Sequence, residues 1–324
     1  MDLPPFTHYF FSSTSGKEKA LRRLCWALFT VLVLMLYLFW DQLRSPASTY
    51  PIVSFTITNE PVFFLFRMVT ILGSEGFFLV FFSVIYWSVN KSLGFWGLVI
   101  MPLSILLTSE ILKEIVRLPR PDVRGITVPT YTFPSGHTSG AVSVWGFLAM
   151  VLQKRWLWAL SLVIISLVAV SRIMLGYHYP GDVIGGIITG TMFLALLFGV
   201  GTKLLKKRVN ITLPYPALMF LALAVPLLIS FIPVTYAPNL TGYLAGAVVG
   251  YLPQKKTLNF HTQGNWQQHL ARMLIGLPVL AAIVPGLGII VPPDNSLLIF
   301  FQHALSTFWV MYLAPLLFIK YRFA

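Results

Sequence analysis

Residues 155–182 read RWLWALSLVIISLVAVSRIMLGYHYPGD. Residues 156–171 carry no charge and the apolar run extends to Leu175, close to the roughly 20 residues a helix needs to cross a bilayer. The end of the run holds Arg172, His178 and Asp182, and ionisable groups beside a span mark a functional site by default. Working outward, runs of the same kind occupy 24–40, 73–87, 94–112, 137–152, 182–200, 213–232, 236–252, 273–291 and 296–319. The whole chain of 324 residues is 57% hydrophobic and 10% charged, against roughly 25% charged in an average soluble domain. Its mean hydropathy is +0.79. A soluble globular enzyme is excluded, and the expected fold is all-α: a polytopic integral membrane protein of about ten transmembrane helices. The division falls after residue 210, giving a core of roughly six spans in 1–210 and an extension of roughly four in 211–324. The first run, 24–40, reads as an uncleaved anchor, because the polar stretch before it is long for a signal peptide.

The formal net charge is +13, which alone would suggest nucleic acid. Its placement says otherwise. With the N-terminus in the cytoplasm, threading the spans puts Lys17, Lys19, Arg22, Arg23, Lys91, Lys154, Arg155, Lys203, Lys206, Lys207, Arg208, Lys255, Lys256, Arg272, Lys320 and Arg322 inside, as the positive-inside rule requires. No nucleic-acid partner is therefore expected. Both termini fall in the cytoplasm, and the membrane is the cytoplasmic (inner) one. Arg44, Arg67, Lys113, Arg117, Arg120, Arg124 and Arg172 are left on the outer or periplasmic face. The single Cys25 permits neither an internal disulfide nor a cysteine metal site. Gly186 and Gly190, like Gly242, Gly246 and Gly250, recur every four residues, a stripe that lets membrane helices approach closely. Trp40, Tyr86, Trp87 and Trp309 read as interfacial anchors.

Three clusters meet on the outer face. The first is Lys113, six residues, then Arg120-Pro121; the second is Pro134-Ser135-Gly136-His137; the third is Ser171-Arg172, five residues, His178, three residues, Asp182. Arg120 and Arg172 can each fork onto two phosphoryl oxygens, and Lys113 adds a point charge. Backbone amides at Ser135, Gly136 and His137, where a helix begins, also favour an anion. The histidines supply a reaction: Asp182 can hold one nitrogen of His178 protonated and leave the other free as nucleophile or base, while His137 gives a proton to the leaving oxygen. Three cations stand where magnesium stands in other phosphoryl-transfer sites, and no cluster of carboxylates suggests a two-metal centre, so neither metal nor cofactor is expected. Lys113 has a competing use, neutralising Glu110 or Glu114 in a salt-bridged helix end. Asp122 and Arg124 are candidates for the rim of the entrance.

These motifs resemble those of the type 2 phosphatidic acid phosphatase superfamily, the lipid phosphate phosphatases: Lys-x6-Arg-Pro, Pro-Ser-Gly-His and Ser-Arg-x5-His-x3-Asp, with every position and spacing met. The resemblance covers roughly residues 20–205. It implies that His178 is the nucleophile, Asp182 its orienting partner and His137 the general acid, with Lys113, Arg120, Ser135, Gly136 and Arg172 binding phosphate. The extension, together with Gly73-Ser74-Glu75 and Tyr86-Trp87, resembles the sphingosine-1-phosphate phosphatase-like branch. The expected activity is hydrolysis of a terminal phosphate from a lipid headgroup through a phosphohistidine. Polyprenyl diphosphate hydrolysis and lipid-to-lipid phosphotransfer would use the same residues. A lipid transporter or scramblase is the alternative from another class, but the two halves show no paired broken helices.

Overall fold

The computed structural model describes residues 27, 29–46, 49, 53–54, 56, 58–121, 130–206 and 213–323. The main helices among them are α1 (Phe29–Leu38), α2 (Trp40–Leu43), α3 (Glu60–Ile71), α4 (Glu75–Ser88), α5 (Lys91–Val116), α6 (Gly136–Leu152), α7 (Arg155–Met174), α8 (Pro180–Lys206), α9 (Tyr215–Ile229), α10 (Ala237–Thr257), α11 (Trp266–Gly286) and α12 (Ser296–Lys320). Among the described residues there is no strand. Asparagines start several of the helices. Asn90, Asn265 and Asn295 each accept a backbone N–H from the first turn that follows, at 2.9, 2.9 and 3.0 Å.

This is an integral membrane protein. Among the described residues, five helices are long and apolar enough to cross a bilayer: α5, α7, α8 as far as Gly199, α11 and α12. The pair α3–α4, bent by 51°, makes a sixth if counted as one span. Outward faces present Trp156, Leu162, Phe220, Leu228 and Leu274, all exposed, as lipid contact demands. The expected count of about ten is not what helix length gives. The helix in 24–40 is described only over Phe29–Leu38, while α6 and α9 have 17 and 15 residues, short of the roughly 20 that span hydrocarbon. Cys25 and the loop bearing Asp122 and Arg124 lie outside the described residues.

By compactness the described residues form two units, Met1–Ser74 with Leu107–Asn210, and Glu75–Leu106 with Ile211–Ala324. Residues 75–106 thus group with the C-terminal helices, where a cut by chain order at 210 places them in the core.

In the first unit, α8 lies against α6 along the glycine stripe. A Cβ on Gly186 would come within 2.8 Å of the Ser135 carbonyl, and one on Gly190 within 2.8 Å of the Ser139 carbonyl. Helix α7 closes on α6 from another side, where Ser161 Oγ donates to the Trp145 carbonyl at 3.0 Å. Trp145 Nε1 in turn donates to the carbonyl of Leu72 at the α3–α4 bend, at 3.1 Å. Gly73 at that bend nearly touches the His137 carbonyl, which a Cβ would approach to 2.9 Å.

The second unit corrects one reading. Tyr86, Trp87 and Trp309 are buried rather than interfacial. A π-helical turn at Trp309–Leu313 frees carbonyls from the ordinary helix ladder, and Trp87 Nε1 donates to that of Val310 at 2.9 Å. Arg272 is 0% exposed. Its guanidinium donates to the carbonyls of Phe323, Trp87, Thr262 and Gln263 at 2.6–2.8 Å. Helix and chain ends leave such carbonyls unpaired, and five donors on one side chain collect them.

Candidate active site

All eight residues singled out in the three clusters fall in the first unit. Lys113 sits in the last turn of α5, directly after a π-helical turn at Leu106–Glu110. The helix ends at Arg117, whose φ of 53° is left-handed, and the chain leaves toward Arg120. Lys113 is 6% exposed, and its Nζ pairs with Glu110 Oε1 at 2.6 Å, while Ser109 Oγ donates to the same oxygen at 3.1 Å. Of the two carboxylates in reach in the sequence, Glu110 is the partner. A Cβ on Gly136 would come within 2.9 Å of Ser109 Oγ and lie 3.6 Å from Lys113 Nζ, which places the start of α6 beside the ammonium. Pairing with Glu110 and a place beside the Pro-Ser-Gly-His turn therefore coexist.

Ser135 caps α6 with extended backbone, and its N–H donates to the Asp182 carbonyl at 3.0 Å. His137, in the first turn, interacts electrostatically with Arg172, His178, Lys113 and Arg120. Arg172, in the last turn of α7, donates through Nη1 to Thr70 Oγ1 at 2.9 Å and lies 4.6 Å from the Tyr177 ring centre. Its Nε is buried without a hydrogen-bond partner. A buried guanidinium N–H left unpaired is costly, and an anion seated beside it would satisfy it. After α7 the chain turns at Gly176, whose φ of 71° suits glycine, and this brings His178 back under Arg172 with its N–H donating to the Arg172 carbonyl at 3.3 Å.

Arg120 reaches the same place from the other side. Its Nε and Nη2 donate to the Thr130 carbonyl and hydroxyl at 2.9 and 2.7 Å, its Nη1 donates to the Tyr177 carbonyl at 3.0 Å, and Nη1 lies 3.5 Å from His178 Nε2. The His178 ring is 2% exposed. Burial first, then the fields of Arg172, Arg120 and Lys113, hold its imidazole well below the ordinary histidine range, so at pH 7 it is neutral. Asp182 is fully buried in the first turn of α8, and its Oδ2 is 3.7 Å from His178 Nδ1, beyond hydrogen-bond reach. Thr132 stands between them: its Oγ1 donates to Asp182 Oδ2 at 2.6 Å and lies 3.0 Å from His178 Nδ1. The other carboxylate oxygen takes Arg44 Nη1 at 2.7 Å.

The three clusters thus meet at one place, with two imidazoles inside the field of three cations. Residues 94–206 match the PAP2 superfamily, and residues 238–324 match the PAP2 superfamily phosphatase, transmembrane extension. The chain belongs to the PAP2 superfamily. Sphingosine-1-phosphate phosphatase 1 of Rattus norvegicus is 29% identical over 154 residues, which cover 44% of this chain and 36% of that protein. Phosphatidylglycerophosphatase B of Bacillus subtilis (strain 168) is 31% identical over 112 residues, covering 32% and 55%. The matched segments amount to 36% of the first of these relatives and 55% of the second. A crystal structure of a transmembrane PAP2-type phosphatidylglycerolphosphate phosphatase from Bacillus subtilis is similar with a TM-score of 0.43 and 23% identity, over 58% of this chain and 96% of that one.

Lys113, Arg120, Ser135, Gly136, His137, Arg172, His178 and Asp182 of this PAP2 chain are at the cluster, and Arg44, Thr70, Thr130 and Thr132 join it unforeseen. Arg44 had a signal in the sequence, as an outer-face cation with no assigned partner. Thr132 had a weaker one, its place two residues before Pro134. Thr70 and Thr130 had none, since a lone threonine acquires a partner only through the fold.

Proposed function

We propose that this protein is a lipid phosphate phosphatase that hydrolyses a terminal headgroup phosphate through a phosphohistidine at His178. The carrying observation is that His178 Nε2 lies 3.5 Å from Arg120 Nη1, below an Arg172 whose buried Nε has no partner, while Lys113 stands beside the turn that opens α6 at Gly136-His137. In the first step His178 Nε2 forms a bond to phosphorus as the bond to the lipid oxygen breaks, and that oxygen takes a proton from His137. In the second, His137 withdraws a proton from water as the water oxygen attacks phosphorus, and the N–P bond breaks to release inorganic phosphate. The three cations, with the Ser135 hydroxyl and the amide of Gly136, balance charge on the equatorial oxygens; the Ser135 amide is not free for this, since it donates to the Asp182 carbonyl. Sphingoid, phosphatidylglycerol and other lipid phosphomonoesters share that terminal group, and the names of the relatives favour this class over diphosphates.

The activity is placed in the segment up to residue 210, with 211–324 as a membrane extension; all the site residues precede 210, and the family's extension matches beyond it. Ten spans with both termini in the cytoplasm put the site on the outer face of the cytoplasmic membrane, a threading supported by the charge asymmetry. The test is phosphate release by purified full-length protein from a panel of lipid phosphates, run with and without a chelator. Release without an acceptor lipid, at the same rate in chelator, is expected; phosphate appearing only in a second lipid would show a transferase, and restoration of a chelated enzyme by magnesium would show a metal requirement.

A pH profile tests the state of His178. A nucleophilic imidazole must be neutral, and one held well below its ordinary value of 6.5 stays neutral as pH falls through that value. For an aryl phosphate that needs no leaving-group acid, kcat/KM corrected for substrate ionisation is therefore expected to stay flat from pH 7.5 to below about 6.5. An acid limb centred at the ordinary histidine value would contradict the burial seen here.

A further inference from the structure

We infer that Thr132 carries the hydrogen-bond link between His178 and Asp182, and that Arg44 fixes the carboxylate from its far side. The inference rests on reading His178 as the nucleophile. The direct His178–Asp182 separation of 3.7 Å is too long for an N–H···O bond, whereas Thr132 Oγ1 is within reach of both groups, at 3.0 and 2.6 Å.

The direction of the link follows from what each group can do. An ionised carboxylate only accepts, so at 2.6 Å the single hydroxyl proton of Thr132 points to Asp182. The Thr132 oxygen then offers only lone pairs to the ring, and the Thr132 backbone carbonyl, which also faces the imidazole, is likewise an acceptor. Nδ1 must therefore carry the ring proton. A neutral imidazole has one N–H, so the lone pair is on Nε2, the nitrogen beside Arg120. Thr132 is itself held by its backbone N–H, which donates to the Leu118 carbonyl at 3.0 Å. The hydroxyl thus sets the tautomer that presents a nucleophile to the phosphate.

Arg44 completes the arrangement from outside the three motifs and ahead of the segment matched to the PAP2 superfamily. Its Nη1 meets Asp182 Oδ1 at 2.7 Å, with side-chain exposures of 9% and 0%. Its guanidinium carbon lies 5.3 Å from the Trp40 ring centre and 5.1 Å from that of Tyr179, and Nη2 donates to the Pro119 carbonyl at 3.3 Å. Gly181 makes the room, since a Cβ there would come within 3.0 Å of Arg44 Cγ. A fully buried carboxylate needs a paired cation to stay charged, and the charged form is the one that aligns the hydroxyl. Thr132 and Arg44 are positioning residues: they act through His178.

The experiment compares Thr132→Val, Thr132→Ser, Thr132→Ala and Arg44→Gln with His178→Ala in purified full-length protein, using an aryl phosphate. Thr132→Val keeps the volume and loses the hydroxyl, so kcat is expected to fall about 10- to 1,000-fold with KM within about threefold, as losing the correct histidine tautomer does in a catalytic triad. Thr132→Ser should recover kcat to within about fivefold of wild type, and Arg44→Gln should lower kcat about 5- to 50-fold without a matching rise in KM. If Thr132→Val fails to fold, Thr132→Ala read against Thr132→Ser gives the same comparison. A hydroxyl-free variant with wild-type kcat, a serine variant no better than alanine, a loss confined to KM, or an Arg44→Gln kcat equal to wild type would each overturn the inference. An active His178→Ala would instead remove the nucleophile reading on which it rests.

Discussion

His178→Ala is expected to abolish turnover, lowering phosphate release by about 10,000-fold or more, the scale seen when a nucleophile or its base is lost from a covalent mechanism. No other described side chain in the cluster can replace it. His137 is the second imidazole and has a separate task, and Lys113 and the arginines are cations without a lone pair to give. The variant should fold, because among the described residues the ring's side-chain hydrogen-bond neighbours are Thr132 and Arg120 and its backbone N–H bond to Arg172 survives the change. Rapid quench with a radiolabelled lipid phosphate, held at alkaline pH where a phosphoramidate persists, should show labelled wild-type protein and no label on the variant. Undiminished release by His178→Ala would end the covalent mechanism, and label on the variant would move the nucleophile elsewhere.

His137→Ala should show a loss that depends on the leaving group. An alkoxide departing from a lipid phosphate needs a proton as the P–O bond breaks, and general acid catalysis of this kind supplies about 100- to 10,000-fold. An aryl oxide leaves without that help. The two substrates therefore separate in the first turnover: the lipid should slow by that factor, while the aryl phosphate should give a burst within about tenfold of wild type. The same residue activates water in the second step, so the burst should be followed by a slow steady state as the phosphoenzyme accumulates. Equal first-turnover losses for both substrates would contradict the acid role and leave His137 as a contributor to binding alone. His137 opens α6 among the cations Arg172, Lys113 and Arg120, which repel a protonated ring, so the proton it gives must be held there by the negative charge of the bound phosphate.

The apolar segments and the three motifs were legible because both are local. A helix that must lie in hydrocarbon announces itself by about 20 residues of composition, and the ligands of a phosphate announce themselves by spacing on one or two turns. Lys113 shows where locality ends. Its sequence offered Glu110, one turn back, and the adjacent Glu114, and the fold pairs the ammonium with Glu110, where Ser109 Oγ meets the same carboxylate oxygen. Gly186 and Gly190 were read as contact positions and are such, since their alternatives would collide with the Ser135 and Ser139 carbonyls. Tyr86 and Trp87 were misread for the converse reason: aromatic residues at span ends have a strong prior for the interface, and neither composition nor period reveals that a π-helical turn is waiting for them.

Composition and spacing by themselves determined that this chain lives in a membrane, is helical, and carries two histidines, three cations and a carboxylate in the order of a known phosphatase family. Tertiary structure alone decided how the carboxylate reaches the ring. Asp182 and His178 are one helical turn apart in number, but the chain turns at Gly176 and restarts at Pro180, so the two side chains stop 3.7 Å apart. A threonine from 46 residues earlier and an arginine from 138 residues earlier fill what that geometry leaves open. Hydrogen bonds are satisfied by whichever donor the fold brings within about 3 Å, and distance along the chain carries no record of it.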